Sequence, residues 1–274
     1  MSVTAALADA ARALAPFSDS PRLDAELLMA HALGVEREDL LLGTDRFAVP
    51  DGFAVMVERR KAHEPVAYIL GYRDFWTIRL SVGPGALIPR PDSETLIEAA
   101  LAHVPDKMEP LRILDLGTGP GTLLLAALSE FPEAHGLGID ASERALAYAR
   151  TNAETLNLAG RALFRPGDWA SGLAGQFDLI LCNPPYVETN ADLEPDVRDH
   201  EPASALFAGA DGLDDYRRII PQLPPLLAPD GAAILEIGWR QAASVSEIAT
   251  AAGLSFVVKR DLAGRDRALL LTAH

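Results

Sequence analysis

Beyond residue 110 the chain alternates between short apolar runs and longer amphipathic stretches. The order is "RILDLG", a helix from Gly121, "AHGLGID", helix "SERALAYARTNAETLN", "ALFRPGD", "FDLILCN", helix "LDDYRRIIPQLPPLL", "AAILEIG", helix "QAASVSEIATAA", "SFVVKRD" and "RALLLTA". Near-continuous apolar strands must be covered on both faces, and the helical stretches between them are long enough to serve as crossovers. The pattern therefore predicts an α/β fold around a parallel sheet. The last two strands are joined only by "LAGR", too short for a crossover helix, so that pair must be antiparallel.

The first 65 residues read differently. The opening "MSVTAALADAARALAP" has no basic head, and Asp9 and Arg12 interrupt its apolar run, so it reads as an amphipathic helix rather than a signal sequence. Leu23, Leu27, Leu28 and His31 recur at helix spacing, with Ser20-Pro21 as a start signal and Gly34 as a stop. A further helical stretch, "GFAVMVERRKAHEP", ends at Pro65. These pieces suggest a small helical bundle. From Tyr72, "YRDFWTIRLSVGPGALIPRP" sets β-formers between glycine and proline, which reads as a hairpin linker, and Asp92 or Ser93 is expected to cap the helix "SETLIEAALAHV" that follows.

Composition narrows the function. A chain of 274 residues, 49% of them hydrophobic, is long enough for one large domain and a smaller one. The single cysteine, Cys182, excludes an internal disulfide framework, and six scattered histidines without metal-ligand spacing give no zinc signature, so no metal is expected. No apolar run reaches the length of a membrane span, and a cytoplasmic location is expected. A net charge of −15 opposes the diffuse phosphate attraction of non-specific nucleic-acid binding, so direct DNA binding is not expected. Arg59-Arg60-Lys61 forms a local basic run, read as a solvated helix face in preference to a phosphate site.

"ILDLGTGPGTLLLAAL" reads as strand, glycine loop, helix. Gly117, Gly119 and Gly121 let the backbone turn tightly and approach a ligand at a helix N-terminus. Asp140 ends the next strand about 23 residues beyond Gly117, where a carboxylate can accept both hydroxyls of a ribose. Together they indicate a nucleoside-bearing cofactor. The spacing is G-x-G-x-G, with Thr118 and Pro120 between the glycines and Thr122 after them, and so departs from the dinucleotide fingerprint. Pro120 removes one backbone donor from the loop, which the first turn of a helix tolerates.

"NPPY", Asn183 to Tyr186, follows the strand "FDLILC" and so falls where open α/β sheets bind ligands. The Asn183 side-chain carbonyl and the Pro184 carbonyl are two acceptors suited to a planar NH₂ group, Pro184 and Pro185 make them rigid, and Tyr186 can stack on that group. Accepting both hydrogens of a delocalised nitrogen aims its lone pair and stabilises the positive charge that develops when that nitrogen attacks an electrophile. Cys182 reads as a buried apolar thiol rather than a nucleophile. Phe75 and Trp76 either wall the cofactor or attach the hairpin to the domain.

The glycine loop resembles motif I of S-adenosylmethionine-dependent methyltransferases. That resemblance implies a place near the methionine end for Asp115, ribose binding for Asp140, and a position beside the adenine for Asp168 and Trp169 of "GDW". The tetrad resembles that of enzymes methylating adenine amino groups, guanine amino groups and glutamine amides, and does not choose among them. The choice comes from "LIPRPDSETL", "DLGTGPG", "HEPASALFAGADGLDDYRRI", "LEIGWRQ", "DLAGRDR" and "GYRDFW", which in this order resemble the release-factor glutamine methyltransferases, the PrmC/HemK family, over essentially the whole chain.

The resemblance implies a helical bundle for substrate recognition over 1–71, a β-hairpin linker over 72–90 and a Rossmann-like class I methyltransferase domain over 91–274. It implies S-adenosylmethionine as cofactor and methylation of the side-chain amide nitrogen (N5) of the Gly-Gly-Gln glutamine in class-1 peptide chain release factors. Asn183 and the Pro184 carbonyl would bind that amide, with Tyr186 packed on it, while Gly117 to Gly121, Asp140, Trp169 and Asn183 would hold the cofactor. Arg90 and Pro91 match the family signature, with Asp92 and Ser93 in place of its usual Glu and Thr. Glu201-Pro202 and Gly212-Leu213 would shape a lid or form plain loop. An intact tetrad argues against a scaffold that binds cofactor without catalysing.

Overall fold

The computed structural model describes residues 2–273. Residues up to Tyr72 together with Leu193–His200 make one compact unit, and the rest a second.

In the first unit, α1 (Val3–Leu14) starts at Ser2, whose hydroxyl accepts the Ala5 N–H, and buries Val3, Ala6, Ala10 and Leu14. Helix α2 (Pro21–Leu33) runs from Ser20-Pro21 to Gly34, as its punctuation predicts, with Gly34 at φ +68°. Its buried face differs from the expected leucine stripe. Leu28 is buried, but Leu23 is exposed and Leu27 only partly covered, while Asp24 and Glu26 lie inside. The reason is electrostatic: Asp24 Oδ2 accepts from Arg60 Nε at 2.8 Å, and the Glu26 carboxylate accepts from Arg22 and Arg37 at 2.7–2.9 Å.

Helices α3 (Arg37–Leu42), α4 (Gly52–Lys61) and α5 (Val66–Leu70) complete the bundle. Helix α4 stops at Lys61, short of Pro65, because His63 takes φ +62°. The basic run at its end is fully paired, Arg59 with Glu64, Arg60 with Asp24, and Lys61 with Glu58. Arg60 is therefore a core residue, neither a solvated face nor a phosphate site.

Strands β1 (Tyr72–Phe75) and β2 (Ile78–Ser81) form the hairpin, which belongs to the second unit from Arg73 onward. Then come α6 (Glu94–His103), β3 (Arg112–Leu116), α7 (Thr122–Glu130), β4 (His135–Asp140), α8 (Glu143–Thr155), β5 (Ala162–Pro166) and β6 (Phe177–Cys182). After α9 (Pro195–His200), a short helix of the first unit that the sequence reading did not anticipate, follow α10 (Asp214–Ile219), β7 (Leu227–Glu236), α11 (Ala242–Ala251), β8 (Leu254–Arg260) and β9 (Asp266–Ala273). Seven strands form one sheet in the order β5-β4-β3-β6-β7-β9-β8. Strands β3 to β7 pair in parallel and β9 is antiparallel to both β7 and β8, as the short "LAGR" connection requires. The chain proceeds outward from β3 to β4 and β5, then returns to place β6 beside β3. The topological switch point thus lies between β3 and β6.

Two local expectations fail. The stretch "LDDYRRIIPQLPPLL" is not one helix: α10 ends at Ile219, and Pro221, Pro224 and Pro225, which lack an N–H, leave only two 3₁₀ turns, Ile220–Gln222 and Pro224–Leu226. Nor does Asp92 or Ser93 cap α6. Both sit in a 3₁₀ turn, Pro91–Ser93, with Asp92 paired to Arg267 at 3.0 Å and Ser93 bonded across the sheet to Glu236. No helix among the described residues is long and apolar enough to cross a membrane.

Breaking the Asp24–Arg60 pair on one side leaves a buried, unpaired carboxylate. Arg60→Met is expected to cost about 3–5 kcal/mol in urea unfolding, and adding Asp24→Leu should recover most of it.

Candidate active site at the β3–β6 switch point

Strand β3 delivers the glycine loop. Gly117 has φ +72°, and a Cβ there would lie 2.9 Å from Trp169 Cζ3, so the bare backbone lets the indole close over the loop. Gly121 serves packing instead: its Cβ would meet Leu125 Cδ1 at 2.8 Å, and the residue lies outside the cavity lining. The loop's N–H groups are committed to neighbouring backbone and to Asp140. Gly117 and Thr118 both donate to the Ile139 carbonyl, Gly119 to Asp140 Oδ2 at 2.8 Å, and Gly121 to the Thr118 carbonyl. Pro120 therefore forfeits little as a non-donor, and its carbonyl accepts from Asn152 Nδ2 at 2.9 Å.

A cavity opens in front of this loop, lined by Asp115, Gly117 to Pro120, Asp140, Asp168, Trp169, Asn183 and Pro185 among the residues expected from sequence. Asp115, at the end of β3, is almost wholly buried. Its Oδ2 accepts from the Thr118 hydroxyl at 2.6 Å and the Leu124 N–H at 3.2 Å, while its Oδ1 has no partner among the described residues. Burial, reinforced by the nearby Asp140, lifts its pKa to about 7 against the two hydrogen bonds that favour ionisation. A buried, half-satisfied carboxylate facing a cavity fits a cationic donor, such as the ammonium of a methionine moiety.

Asp140 accepts the Ser142 and Gly119 N–H groups, one on each oxygen, both at 2.8 Å. Each oxygen keeps a free lone pair, which suits a vicinal diol. Burial raises its pKa as well. Trp169 holds φ +52° and donates its indole N–H to Asp215 at 3.2 Å, while Asp168 is engaged by Arg218 at 2.7 Å. Asp215 and Arg218 also line the cavity, and no sequence signal in "LDDYRRI" marked them.

Asn183 follows directly on β6. Its Nδ2 donates to Ser93 Oγ at 3.0 Å, and Ser93 Oγ donates to Glu236 Oε2 at 2.5 Å. The other Glu236 oxygen accepts the Tyr186 hydroxyl at 3.1 Å. Neither Asn183 Oδ1 nor the Pro184 carbonyl receives a hydrogen bond from a described residue. Pro184 and Tyr186, both expected in the site, lie outside the cavity lining, Pro184 buried and Tyr186 largely covered by the core. Tyr186's phenol is pushed well above its usual range by burial and by the adjacent Glu236. Ser93 and Glu236 are thus functional neighbours the sequence reading missed, one taken for a cap and the other submerged in the apolar run "AAILEIG".

The flanking segments are anchored. Glu201 accepts the Ile88 N–H at 3.1 Å and pairs with Arg90, tying the "IPRP" strap to the segment that begins at Pro202, itself in the cavity wall. Gln241 donates to the Tyr186 and Gly212 carbonyls at 3.1 and 3.2 Å. Phe75 is buried outside the lining, and Trp76 bonds Glu94 and Glu130 at 2.9 and 2.8 Å, so the pair attaches the hairpin rather than walling the cavity. Cys182 is fully buried, and burial raises its thiol pKa, as expected of an inert core thiol.

A doubly covered sheet with a glycine loop at its switch strand, a half-satisfied acid ending the next strand and an Asn-Pro-Pro-Tyr turn after the neighbour fits a class I S-adenosylmethionine-dependent methyltransferase. Comparison with known proteins agrees. Residues 5–71 match the PrmC N-terminal domain model and residues 93–200 the methyltransferase small domain model. The release factor glutamine methyltransferase of Rhodospirillum rubrum is 46% identical over 258 residues, 92% of this chain and 79% of that one. That of Cereibacter sphaeroides is 43% identical over 95% of this chain and 96% of its own. A methyltransferase from Pyrococcus furiosus shares the fold with a TM-score of 0.52 at 19% identity, over 70% of this chain and 86% of that one. The chain belongs to the release factor glutamine methyltransferase family.

Gly212 sits at φ +69° with its absent Cβ 2.3 Å from the Tyr186 carbonyl. Gly212→Ala is expected to cost more than about 1 kcal/mol in thermal unfolding and to displace the Tyr186 turn, read as faster amide exchange there.

Proposed function

We propose that the protein transfers the methyl group of S-adenosylmethionine to the side-chain amide nitrogen of the Gly-Gly-Gln glutamine in class-1 peptide chain release factors. The observation that carries this reading is the pair of unfilled acceptors, Asn183 Oδ1 and the Pro184 carbonyl, in the turn directly after β6, the strand paired with the one that leads into the glycine loop.

Bound cofactor supplies an electrophilic methyl on a positively charged sulfur. The chain's own residues do the rest. Asp115 Oδ1 would hold the ammonium end, Asp140 the ribose hydroxyls and Trp169 with Asp168 the base, with Gly117 to Pro120 completing the cradle. Asn183 Oδ1 and the Pro184 carbonyl each accept one hydrogen of the glutamine NH₂. That geometry holds the nitrogen lone pair toward the methyl and stabilises the positive charge that develops on nitrogen, which is discharged when the methylated nitrogen releases one of its two protons to water. Pro184 and Pro185 hold the acceptors with little flexibility to lose on binding. Tyr186, its hydroxyl held by Glu236, packs behind the turn and serves as no base.

The bundle over 1–71, linked through 72–90 to the catalytic domain over 91–274, recognises the body of the factor. A reaction on translation factors places the enzyme in the cytoplasm, and the acidic chain is not expected to bind DNA directly.

Incubation with a class-1 release factor and labelled S-adenosylmethionine should place one methyl on the Gly-Gly-Gln glutamine, located by peptide mass spectrometry. Label that persists after that glutamine is replaced would sink the assignment. Asn183→Ala should lower kcat by about 10²–10³-fold while cofactor Kd changes by less than about threefold. Cofactor affinity should also follow the Asp115 charge. Because the raised pKa of about 7 leaves the acid protonated below neutrality, calorimetric affinity should rise with pH through about 7 and level off above it. Asp115→Asn should bind weakly and without that slope.

A further inference from the structure

We infer that Glu236, acting through the Ser93 hydroxyl, is the positioning residue that decides which end of the Asn183 amide faces the substrate, and that the same carboxylate holds the Tyr186 ring in place. The inference deepens the glutamine reading above and rests on it.

An asparagine amide is nearly symmetrical in shape, so sterics do not prevent its rotation by half a turn. Only one orientation works. With Oδ1 outward the site offers an acceptor to the substrate NH₂; with Nδ2 outward it offers a second donor, and the substrate hydrogens lose their partner.

The structure supplies the selection. Ser93 Oγ carries a single proton, and Glu236 Oε2 lies 2.5 Å from it. An ionised carboxylate accepts hydrogen bonds and donates none, so the serine proton must point at Glu236. What Ser93 then presents to Asn183 is a lone pair, and the group it admits is the Nδ2 that stands 3.0 Å away. Oδ1 is left outward by elimination. The three groups come from distant parts of the chain, Ser93 in the turn before α6, Asn183 after β6 and Glu236 at the end of β7. Glu236 and Ser93 are almost wholly buried, so water does not compete for the proton.

The other Glu236 oxygen accepts from Tyr186, four residues into the same tetrad. One carboxylate therefore orients both ends of the Asn-Pro-Pro-Tyr turn. Its surroundings are mixed: Arg267 on β9 favours the charge, while Asp92 opposes it. The Tyr216 hydroxyl donates to the Glu236 backbone carbonyl at 2.7 Å, and the neutral Tyr186 phenol and Cys182 thiol lie near. Burial dominates and lifts the Glu236 pKa to about 7. Protonated Glu236 would donate to Ser93, free the serine proton to turn toward Asn183, and admit both amide orientations. The productive fraction thus grows as pH rises through about 7.

The test compares Ser93→Ala, Ser93→Thr and Glu236→Gln with wild type, using a class-1 release factor and S-adenosylmethionine. Ser93→Ala should lower kcat about 10–100-fold, with KM less affected and cofactor Kd within about twofold, the latter showing that the fold persists. Ser93→Thr, which restores the hydroxyl, should recover kcat to within about threefold of wild type. Glu236→Gln should flatten the component of the kcat–pH profile centred near 7. Wild-type kcat in Ser93→Ala, or equal damage in Ser93→Thr, overturns the relay.

A second arm needs no substrate. In enzyme labelled with ¹⁵N-asparagine, the Asn183 side-chain NH₂ should exchange slowly with water and become faster in Ser93→Ala; unchanged exchange overturns the relay. Should wild type transfer nothing to the glutamine, the substrate reading fails while this arm still decides the relay.

Discussion

The parallel pairing of β3 with β6, Leu116 beside Cys182, is the contact on which the site depends. Both strands end there, β3 giving way to Gly117 at φ +72° and β6 to Asn-Pro-Pro, whose prolines have no N–H to donate. Because both strands point the same way, the two irregular ends open into one crevice. A Cβ at Gly117 would lie 2.9 Å from the Trp169 ring and 3.9 Å from the Asn183 carbonyl, so the bare glycine leaves room for the indole and the turn beside the loop. The glycine loop and the pair of free acceptors are thereby neighbours.

Around that crevice the protein tolerates two buried carboxylates that a stability optimum would avoid. Asp115 is the penultimate residue of β3 and Glu236 the last of β7, and burial raises the pKa of each to about 7. Their partners differ in kind. Asp115 keeps one oxygen without a donor, which points to a partner from outside the chain. Glu236 has both oxygens occupied from within, by Ser93 and Tyr186, which points to an internal task. A carboxylate left half-satisfied and one satisfied from within thus sit on the two strands that flank β6.

The sheet, its antiparallel end, the glycine loop with Asp140, and the tetrad were legible because each is written in consecutive residues. Features fixed by distant partners were not. Ser93 satisfies every local rule for a helix cap, yet its hydroxyl is claimed by a residue 143 positions away. Leucine spacing misplaced the buried face of α2 because the cation that neutralises Asp24 arrives 36 residues later. Glu236 was hidden by the apolar strand that buries it. Gly121 belongs to the loop by spacing but to helix packing by its neighbours, a distinction only the turn's geometry reveals. The break after Ile219, by contrast, was available from Pro221 and its successors and was overridden by the apolar periodicity.

The account's central claim is that the Asn183 side-chain carbonyl and the Pro184 carbonyl jointly accept the two hydrogens of a glutamine amide. A crystal structure with S-adenosylhomocysteine and a Gly-Gly-Gln peptide tests it most directly. The account predicts the glutamine nitrogen within hydrogen-bond distance of Asn183 Oδ1 and the Pro184 oxygen, with Asn183 Nδ2 still on Ser93. A glutamine whose carbonyl oxygen, rather than its nitrogen, meets these two acceptors, or an Asn183 turned with Nδ2 toward the peptide, would contradict it.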